Sequence, residues 1–417
     1  MTLREDITGI CTRARDAAQI LRSLSPAVKN AALFNAAQGL RAAGPELKAA
    51  NERDLEAGRA KGLSSAMLDR LELTGTRIEA MATGLETVAA LPDPVGDIVR
   101  QTVHPNGMRI AQIRQPLGVV AIIYESRPNV TADAAALCLK SGNATILRGG
   151  SEAIHSNIAI ARVFVAGAVA AGVPEAAVQI ITTTDRAAVG ELLQMNGYID
   201  VVVPRGGKGL ISRILEESRI PVVAHLDGVC HVYVDADADP VMAKSIVLNA
   251  KLQRPGVCNA LETLLVHEDI AGEFLPDAAQ ALEMGGCELR GCPKTRQIIS
   301  CKEATDEDWT TEYLDRILSI KVVESLDAAI DHINRYGSHH SDSIVTERYD
   351  AAERFLDEVD SAAVYVNAST RFTDGFEFGL GAEIGISTNK LHCRGPMALQ
   401  ELTCLKYIIR GSGQIRE

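Results

Sequence analysis

One of the nine cysteines stands in a segment of the kind that carries reactive side chains. Cys258 lies in Arg254-Pro255-Gly256-Val257-Cys258-Asn259, between a run with helical spacing and an apolar run typical of a strand. Proline and glycine predict an irregular loop here, and catalytic groups concentrate on loops held by a rigid scaffold. Lys251 and Arg254 are close in sequence and would favour the thiolate, the nucleophilic form. The pattern indicates a candidate nucleophile, and a merely structural cysteine is the alternative that it leaves open.

Two glycine clusters form the second group of candidate residues. Arg148-Gly149-Gly150 and the run 205–209, Arg-Gly-Gly-Lys-Gly, each follow an apolar strand pattern and precede a helical pattern. Glycine lets the backbone approach a phosphate closely, and the start of a helix offers unpaired N–H groups to an anion. Neither cluster is the G-x-G-x-x-G fingerprint or a Walker loop. Tight strand-to-helix turns explain them equally well.

The cysteine pattern predicts no metal centre. Cys287, Cys292 and Cys301 come nearest to a ligand set, but their spacing is wrong for a zinc ribbon and no histidine pair follows. The N-terminal segment is charged, is helical in pattern and has no apolar core of the signal-peptide kind. We therefore expect reduced thiols and a cytoplasmic protein.

Composition excludes several classes of protein. The 417 residues include 42 Lys and Arg against 54 Asp and Glu, which gives a net charge of −12 and argues against binding to a nucleic-acid backbone. Hydrophobic residues at 47% and charged residues at 23% are typical of a soluble globular protein and exclude a disordered one. The most apolar stretch, 163–173, is shorter than the roughly 20 residues that a membrane-spanning helix needs.

The predicted elements fall into an α/β class. The first hundred residues predict helices, and strands then alternate with helices through two successive units, which indicates parallel sheets covered on both faces. Such sheets bind ligands at the carboxyl ends of their strands. The run 222–226 is expected to be one of the short strands. Asn106-Gly107 predicts the turn of a hairpin over 98–115, and 402–410 predicts a final strand.

Several longer motifs resemble the aldehyde dehydrogenase superfamily. They are the segment 115–130, which contains Tyr124-Glu-Ser-Arg-Pro-Asn-Val130, the segment 141–148, and Val364-Tyr-Val-Asn367. Within that superfamily the runs 228–235, 364–375 and 378–383 are similar to the gamma-glutamyl phosphate reductase family. The resemblance extends over nearly the whole chain. It implies a fold of two doubly wound parallel-sheet domains with a small oligomerisation hairpin and strand.

The resemblance also implies an activity, the NADPH-dependent reduction of L-glutamyl 5-phosphate to L-glutamate 5-semialdehyde with release of phosphate. This is the second step of proline biosynthesis. Cys258 lies at the family's nucleophile position and would carry a thioester. Asn129 lies at the position whose amide, with the Cys258 N–H, forms the oxyanion hole. The alternatives are another aldehyde dehydrogenase or an acyl-CoA reductase, and a non-catalytic binding protein.

One departure from the superfamily pattern bears on the reaction. Hydrolytic members have a glutamate in Glu-Leu-Gly-Gly that activates water, and here the matching residues are His225-Leu226-Asp227-Gly228. A reductase that releases phosphate needs no water activation. His225 is a candidate base or a residue that merely lines a cavity. His231 beside Cys230 would make a second thiol–imidazole pair, but neighbours in a strand point to opposite faces, which argues against it.

The resemblance further assigns the cofactor contacts. An uncharged Ser151 beside Arg148 and Gly149 leaves room for a 2′-phosphate, so NADPH is expected rather than NADH. Gly206, Gly207 and Lys208 are expected to hold the pyrophosphate. Glu312 is expected to hold the nicotinamide ribose.

Substrate, domain and partner assignments complete the sequence-based expectations. Arg127 and Arg371 are candidates for the substrate carboxylate, with a structural ion pair as the alternative for each. The expected NADPH-binding domain spans 1–97 and 116–228, the catalytic domain 229–398, and the oligomerisation element 98–115 and 399–417. The final strand is expected to pair across a subunit boundary of a homodimer or homotetramer. Because glutamyl phosphate is labile, contact with the glutamate 5-kinase that makes it is also expected.

Overall fold

The computed structural model describes residues 2–416 and divides them into two compact units. Unit 1 contains the chain up to Ala224, the short segment Gly379–Gly385 and everything from Met397 onward. Unit 2 contains His225–Phe378 and Ile386–Pro396. The chain therefore leaves unit 1 twice, at His225 and at Ile386, and returns to it at Gly379 and at Met397.

Five helices open unit 1, and their starts follow from local sequence. Thr2 accepts from the Glu5 N–H while the Glu5 carboxylate accepts from the Thr2 N–H, a reciprocal capping box. Ser25 caps the second helix, where Pro26 takes the first position because its missing N–H is not needed there. The helices are α1 (Leu3–Leu21), α2 (Pro26–Ala42), α3 (Gly44–Ala60), α4 (Ser65–Leu71) and α5 (Gly75–Ala90).

The predicted hairpin is confirmed as strands β1 (Ile98–Val103) and β2 (Arg109–Pro116), which pair antiparallel. Gly107 has a φ of 92°, which is why the Asn-Gly pair marks this turn.

A parallel sheet of four strands forms the centre of unit 1, in the order β5-β4-β3-β6. Its strands β3 and β4 are buried along their whole length, as their continuous apolar sequence predicts. The strands are β3 (Val119–Tyr124), β4 (Ala144–Gly149), β5 (Val178–Ile180) and β6 (Val201–Arg205). The connecting helices are α6 (Asn129–Lys140), α7 (Ile154–Ala170), α8 (Ala187–Leu193) and α9 (Lys208–Glu217).

Unit 2 is built on a seven-stranded parallel sheet with the order β10-β9-β11-β8-β7-β12-β13. The strands are β7 (Cys230–Val234), β8 (Leu261–His267), β9 (Glu288–Gly291), β10 (Lys302–Glu303), β11 (Ile317–Val323), β12 (Ser341–Val345) and β13 (Ala363–Val366). Five helices connect them: α10 (Pro240–Leu252), α11 (Glu268–Met284), α12 (Pro293–Ile298), α13 (Leu326–Tyr336) and α14 (Tyr349–Glu358). The alternation that the sequence predicts in this half is confirmed.

Three last strands follow: β14 (Gly385–Ser387), β15 (Gly395–Met397) and β16 (Thr403–Arg410). β14 and β15 form a two-stranded sheet of their own. β16 pairs antiparallel with β2 of the same chain over its whole length, from Thr403 opposite Pro116 to Arg410 opposite Arg109. The sequence-based expectation placed this strand only at a subunit boundary, whereas one of its edges belongs to its own chain.

Two details of the sequence-based prediction are wrong. The run 222–226 is not a strand, because only Val222 makes a single bridge, to Val202. Pro221 precedes it, and proline cannot donate to a ladder, which limits extension of the pairing. The short elements β9, α12 and β10 were not expected, since four, six and two residues are too few for a periodic pattern.

One stretch, Ser151–Ala170, is long and apolar enough to cross a membrane by length and composition alone. Half of it is buried inside the protein, as in a core helix. In unit 1 it contains α7, whose buried residues include Ile160 and Phe164.

Candidate active site

Cys258 lies in a loop of eight residues, 253–260, between the end of α10 and the start of β8. The loop is irregular as Pro255 and Gly256 predict, and the cysteine is half-buried. Five other cysteines, Cys11, Cys138, Cys230, Cys287 and Cys292, are buried, and burial raises the pKa of the first four thiols. Cys258 therefore combines an irregular loop with partial exposure, which a nucleophile needs.

The backbone of Gly228 packs directly against the nucleophile loop. A Cβ placed on Gly228 would lie 1.9 Å from the Cys258 carbonyl oxygen, so no other residue fits there without moving the loop. The Gly228 N–H donates to Glu312 Oε1 at 3.0 Å. The Cys230 thiol donates to the same Cys258 carbonyl at 3.2 Å. These contacts fix the peptide that carries the nucleophile.

Asn259 anchors the other side of Cys258. Its side-chain amide donates to the Thr373 carbonyl at 2.8 Å, and the Thr370 hydroxyl donates to the Asn259 carbonyl at 2.7 Å. The Arg371 guanidinium donates through Nη1 to Asn259 Oδ1 and through Nε to Gln253 Oε1, the latter at 2.9 Å. The short helical turn 370–372 therefore holds the nucleophile loop by side-chain and backbone hydrogen bonds.

A buried ion pair joins the two elements at the ends of the Cys258 loop. Lys251 Nζ lies 2.6 Å from Glu262 Oε2, and both side chains are fully buried. Lys251 belongs to α10 and Glu262 to β8, so the pair joins the two elements that the loop connects. The Leu314 N–H donates to the second Glu262 oxygen at 3.2 Å. The Lys251 charge is therefore compensated by Glu262, and it is not an unpaired cation for the thiolate as the sequence suggested.

Two imidazoles lie beside Cys258. The rings of His225 and His340 meet edge to face with centroids 5.1 Å apart. One nitrogen of each ring and the Cys258 Sγ all lie within 4.8 Å of one another. His225 Nδ1 lies 2.9 Å from the Ile386 carbonyl oxygen, which only accepts, so Nδ1 carries the proton. Sequence reasoning missed His340, which stands just before β12 in a Ser-His-His-Ser run with no distinguishing signal.

The second thiol–imidazole pair, Cys230 and His231, does not form. His231 Nδ1 lies 2.9 Å from Asp342 Oδ1 with both side chains fully buried, whereas the Cys230 thiol contacts the Cys258 carbonyl. Successive residues of β7 thus point to opposite faces.

In unit 1, Asn129 is the first residue of α6. Its Nδ2 donates to Asp133 Oδ2 at 2.8 Å, one turn further along the helix. Burial raises the pKa of Asp133 to about 6, and the bond from Asn129 opposes that rise. An amide group carries two N–H donors, so this bond engages one of them.

The second glycine cluster lies where β6 passes into α9, with Gly207 at the N-cap. No side chain of the helix caps this end, and a Cβ on Gly207 would meet no atom within 4 Å. The Gly207 N–H donates to Glu125 Oε2 at 3.0 Å. The protein's own carboxylate therefore binds an N–H of the kind that recognises phosphate.

The first glycine cluster ends β4. Arg148 is 8% exposed and donates through Nη1 to the Gly149 carbonyl at 2.9 Å, and burial lowers its pKa. Its Nε is buried without a hydrogen-bond partner. Glu152 Oε1 accepts from the Ser126 N–H at 2.6 Å and from the Ser126 hydroxyl at 2.9 Å. Ser151 is exposed at the start of the following turn.

The aldehyde dehydrogenase family model matches residues 2–288 of the chain. A gamma-glutamyl phosphate reductase from Moorella thermoacetica is 60% identical over 406 residues, 97% of each protein. The chain belongs to the gamma-glutamyl phosphate reductase family. It is an oxidoreductase of the aldehyde dehydrogenase type.

Solved structures agree with that membership. The crystal structure of gamma-glutamyl phosphate reductase from Thermotoga maritima is 47% identical, with a TM-score of 0.97 over 99% of this chain and 100% of that one. A glyceraldehyde-3-phosphate dehydrogenase from Methanocaldococcus jannaschii, complexed with NADP, is 17% identical with a TM-score of 0.68 over 98% and 95% of the two chains. The likeness at 17% shows the fold alone. The sequence-based fold class is therefore confirmed.

The family's dinucleotide fits the residues of unit 1. The uncapped start of the ten-residue helix α9, where a Cβ on Gly207 would meet no atom within 4 Å, suits a phosphate that displaces the Glu125 carboxylate from the Gly207 N–H. Arg148 Nε is buried and has no hydrogen-bond partner, so an N–H donor is available at the end of β4. Both features lie at the carboxyl ends of parallel strands, where such sheets bind nucleotides.

Proposed function

We propose that the protein reduces L-glutamyl 5-phosphate to L-glutamate 5-semialdehyde with NADPH and releases phosphate, as the second step of proline biosynthesis. The observation that carries the proposal is the Cys258 loop, held half-exposed between Gly228 and Asn259 beside His225. The names of the relatives from Moorella thermoacetica and Thermotoga maritima support the same reaction.

The first chemical step is assigned to Cys258. Its thiolate attacks the acyl carbon of the substrate, the bond to the phosphate oxygen breaks, and a thioester remains on Sγ while phosphate leaves with the bonding electron pair. The Cys258 N–H and the second N–H of the Asn129 amide are the proposed donors to the oxygen that becomes negative. Such donors contribute about 3–4 kcal/mol each when aimed at the developing charge.

The second step restores the cysteine. NADPH, when bound, supplies a hydride to the thioester carbon. The thiohemiacetal anion formed on Cys258, with its negative charge on the former carbonyl oxygen, collapses to the aldehyde and returns the electron pair of the C–S bond to Sγ as the thiolate. Where hydrolytic relatives have a glutamate, this chain has His225, whose Nδ1 is tied to the Ile386 carbonyl. We assign His225 to lining the site, so that water is not activated against the thioester.

Cofactor and substrate contacts are assigned residue by residue. Arg148, Gly149 and Ser151 would lie at the adenosine ribose and its 2′-phosphate, and Gly206, Gly207 and Lys208 at the pyrophosphate. Glu312, which accepts from the Gly228 N–H, would bind the nicotinamide ribose. Arg127 and Arg371 are the proposed partners of the substrate carboxylate.

The domain roles follow the same proposal. Residues 1–97 and 116–228 would bind NADPH, residues 229–398 would carry the chemistry, and 98–115 with 399–417 would form the oligomerisation element.

In the described part of the chain, β1 and β16 are the two outer strands of the sheet β1-β2-β16. Ile98, Val103, Tyr407 and Ile409 are exposed on it. A second copy covering this sheet gives a homodimer or homotetramer. A cytoplasmic location and contact with glutamate 5-kinase are parts of the proposal.

The decisive experiment uses the reverse reaction, because the acyl phosphate is labile. Glutamate 5-semialdehyde, NADP and phosphate are mixed with the protein, and the absorbance of the reduced cofactor is followed. Wild type should turn over only with phosphate. Cys258→Ala should be inactive, and Cys404→Ser, a matched change of another half-buried cysteine on β16, should retain activity.

Three other outcomes would each support an alternative function. Turnover that is independent of phosphate would indicate a hydrolytic aldehyde dehydrogenase. Turnover that requires coenzyme A instead of phosphate would indicate an acyl-CoA reductase. Absence of turnover with either nicotinamide cofactor would favour a binding protein.

A further inference from the structure

The nucleophile is one of three side chains with the geometry of a metal-binding set. Cys258 Sγ and one nitrogen each of His225 and His340 lie within 4.8 Å of one another. All three belong to unit 2, so their positions depend on one packed sheet and its loops. Sequence spacing gives no hint of the set, because the three residues are far apart along the chain.

The His340 ring supplies the observation that points to a ligand. The side chain is completely buried, and its Nε2 has no hydrogen-bond partner. Its Nδ1 lies 2.8 Å from Ser341 Oγ, which in turn lies 2.6 Å from Thr373 Oγ1. The Ser341 hydroxyl can accept from Nδ1, and in that tautomer Nε2 carries the lone pair. A buried basic nitrogen without a partner is costly unless something binds it.

The tautomer of His225 follows from its carbonyl partner. Its Nδ1 donates to the Ile386 carbonyl at 2.9 Å, which leaves the lone pair on Nε2. Metal-binding histidines almost always donate their other ring N–H to a carbonyl, a carboxylate or water, which fixes the tautomer and the ring orientation. His225 therefore already has the outer hydrogen bond that metal ligands have, and His340 has it in the tautomer that donates to Ser341.

The donor set selects the ion. One thiolate and two neutral imidazoles with an open fourth position suit Zn²⁺, whereas Mg²⁺ and Ca²⁺ prefer oxygen. Tetrahedral coordination needs sulfur and nitrogen donors about 3.5 Å apart. The three ligand atoms lie within 4.8 Å of one another, so zinc binding requires an approach of at most about 1.3 Å between any two of them.

We propose that Cys258, His225 and His340 bind one Zn²⁺ and that this ion reversibly blocks the enzyme by holding the nucleophilic sulfur. Binding forms one Zn–S and two Zn–N bonds and releases the Cys258 thiol proton to solvent. The inhibition rests on the proposed function, because it requires Cys258 to be the nucleophile. The binding itself does not.

Zinc affinity is measured first, by competition with a chromogenic zinc indicator on the full-length protein stripped with a chelator. Wild type should bind one equivalent that Cys258→Ser lacks. His340→Gln and His225→Gln should each weaken that equivalent at least tenfold. Cys404→Ser and the exposed-turn variant His104→Gln are matched controls and should bind as wild type does.

A second readout separates a weakened site from a misfolded variant. Zn²⁺ should slow alkylation of Cys258 by iodoacetamide at least tenfold, read by mass spectrometry of the peptide, and a chelator should restore the rate. His225 is only half-buried, so His225→Gln carries the test if His340→Gln does not fold. Equal affinity in wild type, Cys258→Ser and His225→Gln would overturn the proposal and indicate surface zinc only.

Activity then distinguishes the two proposals. Zinc binding with protection of Cys258, in a protein without reductase turnover, would refute the proposed function and support the metal site. Phosphate-dependent turnover that Zn²⁺ does not inhibit, with Cys258 unprotected, would refute the metal site and leave the proposed function standing.

Discussion

Gly228 and Cys258 are in backbone contact so close that a single methyl group on Gly228 would lie 1.9 Å from the Cys258 carbonyl oxygen. No unusual backbone angle requires the glycine, because Gly228 is not among the residues with positive φ. The requirement is space. The residue that ends the His-Leu-Asp-Gly run therefore determines where the nucleophile lies.

Gly228→Ala should lower kcat/KM by about 100-fold, because a displacement of about 1 Å at the reacting atom has an effect of that size. The variant is assayed in the reverse reaction, and its folding is checked by thermal unfolding. Gly272→Ala is the matched control in the same unit, since a Cβ on Gly272 meets nothing within 4 Å in the helix α11. An active Gly228→Ala with wild-type kinetics would show that the loop tolerates the displacement.

Asn129→Ala should lower kcat by about 10²- to 10³-fold with a smaller change in KM, because an oxyanion donor acts mainly in the transition state. Steady-state kinetics measures the split. Alkylation of Cys258 should keep its wild-type rate, since the Asn129 amide donates to Asp133 and takes no part in the hydrogen bonds from Asn259 and Thr370 that anchor the Cys258 loop. An unchanged kcat would remove Asn129 from the oxyanion hole.

Arg371→Ala should raise KM for the glutamyl substrate at least tenfold with Cys258 alkylation intact. The loop remains anchored by Asn259 to Thr373 and by Thr370 to Asn259, so loss of the guanidinium alone does not release it. Arg127→Ala is the parallel variant for the second candidate. If alkylation slows as KM stays constant, Arg371 is an anchor of the loop and not a substrate ligand.

Ser151→Glu should shift the cofactor preference from NADPH toward NADH at least tenfold. A carboxylate at this exposed position repels a 2′-phosphate and accepts from a ribose 2′-hydroxyl. The ratio of kcat/KM for the two cofactors measures the shift, and Ser412→Glu, far along the chain on the C-terminal segment, controls for added charge. A ratio unaltered by Ser151→Glu would place the 2′-phosphate elsewhere.

Stability should fall as the pH drops below the ordinary pKa of histidine, about 6.5. Burial lowers the pKa of His332 to about 2, and its Nδ1 accepts from Lys321 at 3.0 Å. Below about pH 6.5 the unfolded chain gains a proton that the folded chain does not, so this histidine costs up to about 1.4 kcal/mol of unfolding free energy per pH unit. The effect is absent above that pH.

Urea unfolding across that pH range tests the effect of His332. His332→Gln, which keeps an acceptor for Lys321, should show a shallower fall of the unfolding free energy with acidification. His104→Gln, in the exposed hairpin turn, should leave the slope as in wild type. Identical slopes for wild type and His332→Gln would contradict the assignment.

The elements with a long periodic pattern could be predicted from sequence, and those that depend on packing could not. Pro255 and Gly256 beside an apolar run identified the Cys258 loop, and Asn106-Gly107 identified the hairpin turn. His340 was not predicted as a site residue because the Ser-His-His-Ser run that contains it does not differ from any other polar run before a strand. The ion pair between Lys251 and Glu262 was not predicted either, since a pair between a helix end and a strand depends on tertiary contact and not on sequence spacing.

The Lys251–Glu262 pair has a consequence for how this sequence can change over time. Each charge is fully buried and has the other as its counter-ion. Replacing one partner would leave an uncompensated charge at the base of the nucleophile loop and cost about 3–5 kcal/mol, whereas two apolar residues of similar size would be close to neutral. The two positions are therefore expected to exchange together or not at all. A variant of this protein with a less charged interior must therefore replace Lys251 and Glu262 together.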